Sequence, residues 1–283
     1  MIDNKINRLN ENNQSLIDYD SKFLIELIKT NILNNMDILN ESYLHEYNDT
    51  LDKNRFINCF DFVNVEEETY KNELGLVSNT YSPYGVVGLI IKNNISLYNL
   101  ASILCLIIQS KNSLIIELNK AIGTSNILIE IINKVLKSQK LNEIIISNNI
   151  SKSNNFDLLL FIGSKEEFNS LNNTCLKRYY GIGNYELIVD KIIDKELISV
   201  AEKNNVKIIN KNDDKYFYNN FNKESSNYCV GLMTDSKKEA SVFLNSVKAS
   251  FLLVNMIPTV ESRINISYYD LVYRKSSIVY DKI

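Results

Sequence analysis

The sequence predicts an α/β protein built on a wound, mostly parallel sheet with helices on both faces. Two observations carry that expectation. Short, continuous apolar runs, Val86-Val87-Gly88-Leu89-Ile90-Ile91 and Ser113-Leu114-Ile115-Ile116, have the pattern of strands buried on both faces of a parallel sheet. Beside them lie leucine- and isoleucine-rich stretches, residues 97–109 and 125–136, long enough to serve as crossover helices. With 283 residues, 45% of them hydrophobic and 23% charged, the chain can bury one large core or two modest ones.

In chain order, residues 2–55 read as amphipathic helices, with Phe23, Leu24, Leu27, Ile28, Ile32 and Met36 at helical spacing. Residues 56–82 read as irregular, carry the acidic run Glu66-Glu67-Glu68, and end at Ser82-Pro83, a turn or extended signal. The middle then reads βαβαββ, with Glu143–Ile146 and Asp157–Phe161 as its last two strands. Beyond Gly163 the text gives a strand at Glu186–Val189, a helix at Lys195–Lys203 and a strand at Val206–Ile209. An exposed loop is expected over residues 211–227, then strand, helix and strand at Cys229–Met233, Lys237–Val247 and Ser250–Asn255, and an edge strand at Ser276–Tyr280. The domain division expected is 1–82 (helical), 83–190 (cofactor-binding-like), 191–265 (remnant of a catalytic domain) and 266–283 (a C-terminal strand).

Net charge is −3, from 31 basic and 34 acidic residues spread throughout, so no field of one sign attracts nucleic acid or anionic lipid. The longest apolar runs are far shorter than a bilayer crossing, and Met1-Ile2-Asp3-Asn4 lacks the pattern of a secretory signal; the expectation is a cytoplasmic protein without membrane contact. Cys59, Cys105, Cys175 and Cys229 stand singly without a CxxC pair, which points to reduced thiols and neither a metal site nor a disulfide framework. The single histidine, His45, sits in the helical segment with no partner in view.

The stretch Pro83-Tyr84-Gly85-Val86-Val87-Gly88-Leu89-Ile90-Ile91-Lys92-Asn93-Asn94 resembles the start of the cofactor domain in the aldehyde dehydrogenase superfamily, where a Pro-x-Gly-Val-x-Gly strand leads into an asparagine-bearing turn. Ser110–Ile116 is similar to the family's second strand, and Phe161-Ile162-Gly163-Ser164 to its Phe-Thr-Gly-Ser turn. Gly181–Asp190 resembles a strand in the branches that reduce acyl-CoA or acyl-phosphate groups, glutamyl phosphate reductases among them. Val230–Thr234, Val247–Ser250, Leu253–Asn255 and Arg274–Val279 follow in family order. The resemblance implies a Rossmann-like cofactor domain, a reduced catalytic domain and an oligomerising strand arm.

The resemblance also implies roles for particular positions. Asn94 falls on the asparagine that holds the oxyanion of a thiohemiacetal, although asparagine is a common turn residue in its own right. Gly163-Ser164 would open a helix onto a cofactor phosphate; a plain helix cap at Ser164 is the favoured reading of the residues, since Glu166 and Glu167 would repel that phosphate while stabilising the helix end. Glu117 stands where the family places a ribose-binding lysine; a carboxylate there is compatible with NAD and repels the 2′-phosphate of NADP. Family chemistry needs a thiolate nucleophile after the Gly183-like strand, and no cysteine lies between Cys175 and Cys229. Cys229 is a poor substitute, set among Tyr228, Val230 and Leu232. Full family members are much longer, so the chain reads as one from which the cysteine-bearing block is gone.

Two functions follow as expectations. The first is a degenerate, catalytically impaired protein (a pseudoenzyme) with an oligomeric or regulatory role, as a homo-oligomer or with a full-length relative. The second is an NAD-dependent oxidoreductase acting on an aldehyde, acyl-CoA or acyl-phosphate group. A third role, scaffolding within a metabolic compartment, rests on Ile2, Ile6 and Leu9 sharing one face of a targeting helix.

Overall fold

The structure is a computed structural model, and it describes residues 2–65, 68–72, 75–92, 95–118, 123–181, 184–190, 201, 206–212, 214–224, 227–249, 251–257 and 266–279. Helices fill the first segment, as the periodicity predicts: α1 (Ile2–Ile17), α2 (Ser21–Asn34), α3 (Met36–Tyr47) and α4 (Lys53–Asn58). Asp20 starts α2 by accepting the free N–H groups of Lys22 and Phe23, and Asp52 starts α4 by accepting from Arg55.

Residues 56–82 are not irregular throughout. Strand β1 (Glu68–Asn72) and strand β2 (Gly75–Pro83) form an antiparallel hairpin, and Pro83 closes a strand, the extended of the two alternatives expected there. Only Val77 and Asn79 among the described side chains of β2 are buried, so the strand lacks the continuous apolar run that betrays the others.

Strand β3 (Val86–Ile91), helix α5 (Leu97–Gln109), strand β4 (Ser113–Leu118), helix α6 (Gly123–Ser138) and the short strand β5 (Ile145–Ile146) lie close to their predicted bounds. Strand β6 (Leu158–Gly163), helix α7 (Lys165–Asn169) and strand β7 (Lys177–Gly181) complete a five-stranded parallel sheet in the order β5-β4-β3-β6-β7. The sequence did not predict β7, because its Lys-Arg-Tyr-Tyr text is that of a half-exposed edge strand.

Alternation along β3 explains why both faces are apolar. Val87, Leu89 and Ile91 join the larger core beneath α2, α5 and α6, while Val86 and Ile90 meet Ile6 and Leu9 of α1, together with Ile150 and Phe156. The apolar stripe proposed for a targeting helix is thus largely spent on the sheet: Ile6 and Leu9 are buried against it. Polar ties fix α1 there, with Ser113 Oγ donating to Asn13 Oδ1 at 2.8 Å and Asn142 Nδ2 donating to the Leu9 carbonyl at 2.9 Å.

A second parallel sheet contains β8 (Asn184–Val189), β9 (Lys207–Asn210), β10 (Asn227–Met233) and β11 (Phe251–Val254), in the order β11-β10-β8-β9. Strand β8 belongs by its hydrogen bonds to this sheet, although the division expected at residue 190 groups it with the first. The interval 211–227 is no simple loop, for helix α8 (Phe217–Glu224) occupies it and buries Tyr218 and Phe221 against Phe243 of helix α9 (Lys237–Ser246). The predicted helix at Lys195–Lys203 falls almost wholly outside the described residues. Finally, β12 (Val272–Val279) pairs antiparallel with β2, so β1, β2 and β12 make a separate three-stranded sheet.

Candidate cofactor crevice

In the five-stranded sheet the chain moves outward from β3 through β4 to β5, then returns to the other side of β3 with β6. Open parallel sheets bind ligands in the crevice outside the carboxyl ends of the strands at such a reversal. A cavity of about 360 Å³ lies there, lined by Lys92 just after β3, Phe161 on β6, Glu167 on α7, and Ser151 and Leu171.

Glu117 reaches this region from the carboxyl end of β4 and is buried. Both of its oxygens are engaged: Lys92 Nζ donates to Oε1 at 2.6 Å, and the Ile150 N–H donates to Oε2 at 3.1 Å. The carboxylate that sequence reasoning offered to a ribose therefore serves the chain itself. Lys92 was the missed residue, although its position had a readable signal. Parallel register sets Ile90 beside Glu117, which brings a residue just past β3 within reach of that side chain.

Gly163 ends β6 and Ser164 caps α7, where the expected phosphate cradle should begin. As the capping reading of the sequence expects, Ser164 forms a full capping box: the Glu167 N–H donates to Ser164 Oγ at 3.2 Å, and the Ser164 N–H donates to Glu167 Oε2 at 3.2 Å. The helix has five residues, too few for a strong dipole, and its first turn already holds the carboxylates of Glu166 and Glu167. Gly163 is also hemmed in, since a Cβ there would stand 3.1 Å from Lys92 Cβ.

The N-terminus of α6 opens on the same edge of the sheet and is likewise closed from within. Glu46 of α3 accepts the Thr124 N–H at 3.2 Å and the Thr124 hydroxyl at 2.6 Å, while Ser42 bonds the same hydroxyl at 2.9 Å. Nothing in the sequence hints at this, since Glu46 and Thr124 are far apart in the chain. Only the packing of α3 on α6 joins them.

The crossovers on this edge are unequal. Full helices follow β3 and β4, whereas the return from β5 to β6 holds a single 3-10 turn (Ile150–Lys152) and the link from β6 to β7 holds only α7. The walls that would clasp an extended dinucleotide are therefore short on the β6–β7 side. Among the described residues, both helix ends on this edge are thus occupied by carboxylates of the chain itself.

Asn94 lies outside the described residues. Cys229 does not: it is fully buried at the amino end of β10, paired in register with Tyr185 and Phe251. Ligands approach parallel strands from their carboxyl ends, so Cys229 stands at the opposite end of its strand from any such site. It does not converge with Glu117, Gly163 and Ser164, which lie in the other sheet. Burial pushes the Cys105 thiol up to about 12 and raises that of Cys175 as well. Native protein at pH 8 is expected to leave Cys105 and Cys229 unmodified by a maleimide while the half-buried Cys59 reacts; mass mapping of the labelled peptides checks this, and rapid native labelling of Cys229 would contradict it. Among the described residues no cluster of three His, Cys, Asp or Glu side chains is placed to hold a metal ion, and no helix is long and apolar enough to cross a membrane.

Two parallel sheets, the first with a Rossmann-type strand reversal, and a separate antiparallel sheet joining β2 to β12 define an α/β protein of Rossmann type. More particularly, the fold is that of the aldehyde dehydrogenase superfamily. Aldehyde dehydrogenase 21 from Physcomitrella patens, solved with the reaction product succinate, aligns with a TM-score of 0.76 over 99% of this chain and 90% of that one, at 11% identity. Glyceraldehyde-3-phosphate dehydrogenase from Methanocaldococcus jannaschii, complexed with NADP, aligns with a TM-score of 0.74 over 98% and 93% of the two chains, at 10% identity. A propionaldehyde dehydrogenase from the fucose utilisation bacterial microcompartment of Clostridium phytofermentans gives 0.69 over 99% and 98%, at 12% identity. No family model and no curated protein matches the sequence. What is shared at these identities is the fold.

Proposed function

We propose that this chain uses the aldehyde dehydrogenase fold without its redox chemistry, as a degenerate subunit with an oligomeric or regulatory role. One observation carries the reading: at the carboxyl edge of the first sheet the chain has placed its own carboxylates where a cofactor's anionic groups would go. Glu167 sits on the start of α7, Glu46 on the start of α6, and Glu117 neutralises Lys92. A pyrophosphate brought into this crevice would have to displace these bonds and would meet like charge, with the largest cost at the buried Glu117, about 1.5–3 kcal/mol. The burial of Cys229 supports the same reading, since no thiolate forms readily on a side chain sealed in a sheet.

The role left to such a subunit is assembly, with further copies of itself or with a full-length relative. The three-stranded arm suits it: β1 is an edge strand with one side of its backbone unpaired in the sheet, and Tyr70 on it is half exposed. Calorimetric titration with NAD, NADH and NADP tests the proposal. The expected result is no saturable heat at millimolar nucleotide. Micromolar binding with turnover of an aldehyde, acyl-CoA or acyl-phosphate would overturn it in favour of an NAD-dependent oxidoreductase.

A further inference from the structure

A second cavity, of about 510 Å³, lies at the opposite end of the first sheet, between α1 and the turn that follows α6. Its wall is cationic. Arg8 projects from α1 on the same stripe as Asn12, and Lys137 and Lys140 come from the last turn of α6 and the turn beyond it. Its floor is apolar, formed in part by the buried Leu9 and Leu141.

The side chains of Arg8, Lys137 and Lys140 form no hydrogen bond or ion pair with any described residue, so all three are available to a ligand in the cleft. Other lysines are engaged by the chain itself, among them Lys92 on Glu117, Lys111 on the Ile17 carbonyl, Lys177 on the Leu171 carbonyl and Lys211 on Glu239. Only one carboxylate, Glu143, lines the cleft, so it carries two net positive charges in a protein whose net charge is −3.

The end of α6 does not explain the lysines. Its last carbonyls are closed by the turn itself, with the Lys140 N–H donating to Lys137 O at 3.0 Å and the Leu141 N–H donating to Leu136 O at 2.9 Å. Lys140 moreover adopts φ 58°, a left-handed conformation in which glycine or asparagine is at ease. In a sequence rich in asparagine, a lysine at that position is a conformational cost without a structural return.

We propose that this cleft binds a small phosphorylated ligand with an apolar body: the phosphate lies among Arg8, Lys137 and Lys140, and the carbon frame covers Leu9 and Leu141. The volume suits a small molecule, and a few convergent polar groups over an apolar floor is the usual composition of such a site. Three whole charges outweigh the half charge at the carbonyl end of α6.

Calorimetry on the full chain at low ionic strength, with inorganic pyrophosphate and phenyl phosphate as probes, tests the proposal. Both probes are expected to bind saturably, more weakly as salt rises. Arg8→Gln, Lys137→Gln and Lys140→Gly should each weaken binding about fivefold, and the three together about a hundredfold. A structural role for Lys140 would show as a lower melting temperature in Lys140→Gly, whereas the ligand-binding role predicts an unchanged or higher one. Absence of saturable binding by both probes, or equal affinity in the triple variant, overturns the assignment. Dinucleotide titrations repeated on that triple variant report on the crevice alone, so the two proposals fail separately.

Discussion

Gly85→Ala is expected to destabilise the protein by about 3–5 kcal/mol, read as a lower urea midpoint at unchanged slope. Gly85 precedes β3 with φ 132°, a conformation that side-chain-bearing residues rarely adopt. A Cβ there would fall on Asp157 Oδ2 and stand 3.0 Å from Asp157 Cγ. Asp157 has no room to yield cheaply, because its Oδ2 accepts the Val86 N–H at 2.7 Å and so sets where β3 begins relative to β6. Gly85 is held from the other side as well: its N–H donates to Asn112 Oδ1 at 2.9 Å, and its carbonyl accepts the Ser113 N–H at 2.9 Å. The same Asn112 donates to the Leu271 carbonyl at 2.7 Å, so the joint ties the start of β3 and β4 to the base of β12.

Two separable causes contribute to that cost, and a double-mutant cycle distinguishes them. Asp157→Ala removes the clash but leaves the backbone strain, so the double variant should recover part of the loss while remaining below Asp157→Ala alone. A Gly85→Ala cost under about 1 kcal/mol would mean that the chain does not take this conformation.

The contrast between what the sequence showed and what it hid follows from burial. Strands β3, β4 and β6 are enclosed on both faces, so nearly every residue in them is apolar and the run is visible in the text. Strands β1, β2 and β7 carry tyrosines, lysines and serines that are exposed or half-buried, and only a partner strand makes them strands at all. Helix α8 had one legible signal, Tyr218 and Phe221 at a spacing of three, lost among asparagines that argue for a loop. The sequence pointed to Gly163-Ser164 and Glu117 but did not show what these residues bond to. Whether a carboxylate greets a ligand or satisfies a neighbour is decided by Lys92, Ile150 and Glu46, and these come into place only through strand order and helix packing.

Glu117→Ala is the companion experiment, because it separates a crevice closed by the chain from one merely empty of obvious partners. Removing the carboxylate strands two donors at once: the Ile150 N–H, whose residue is fully buried, and the Lys92 ammonium, about a third exposed. The backbone donor bears the full cost of burial without a partner, and the lysine, being nearer water, a smaller one. Together these give a loss of about 2–4 kcal/mol, and Glu117→Gln, which keeps an acceptor, should lose less than half of that. Because the bond to Ile150 is sealed from solvent, the difference between the two variants should persist in high salt, where a surface pair would fade. A carboxylate that exists to meet a ribose would behave in the opposite way: freed of a group that binds only ligand, the apo protein would be as stable or more so, since function-bearing groups are commonly retained at a cost to stability. Denaturation of both variants side by side therefore reads the purpose of Glu117 directly, and a neutral or stabilising Glu117→Ala would remove the main support for a crevice filled from within.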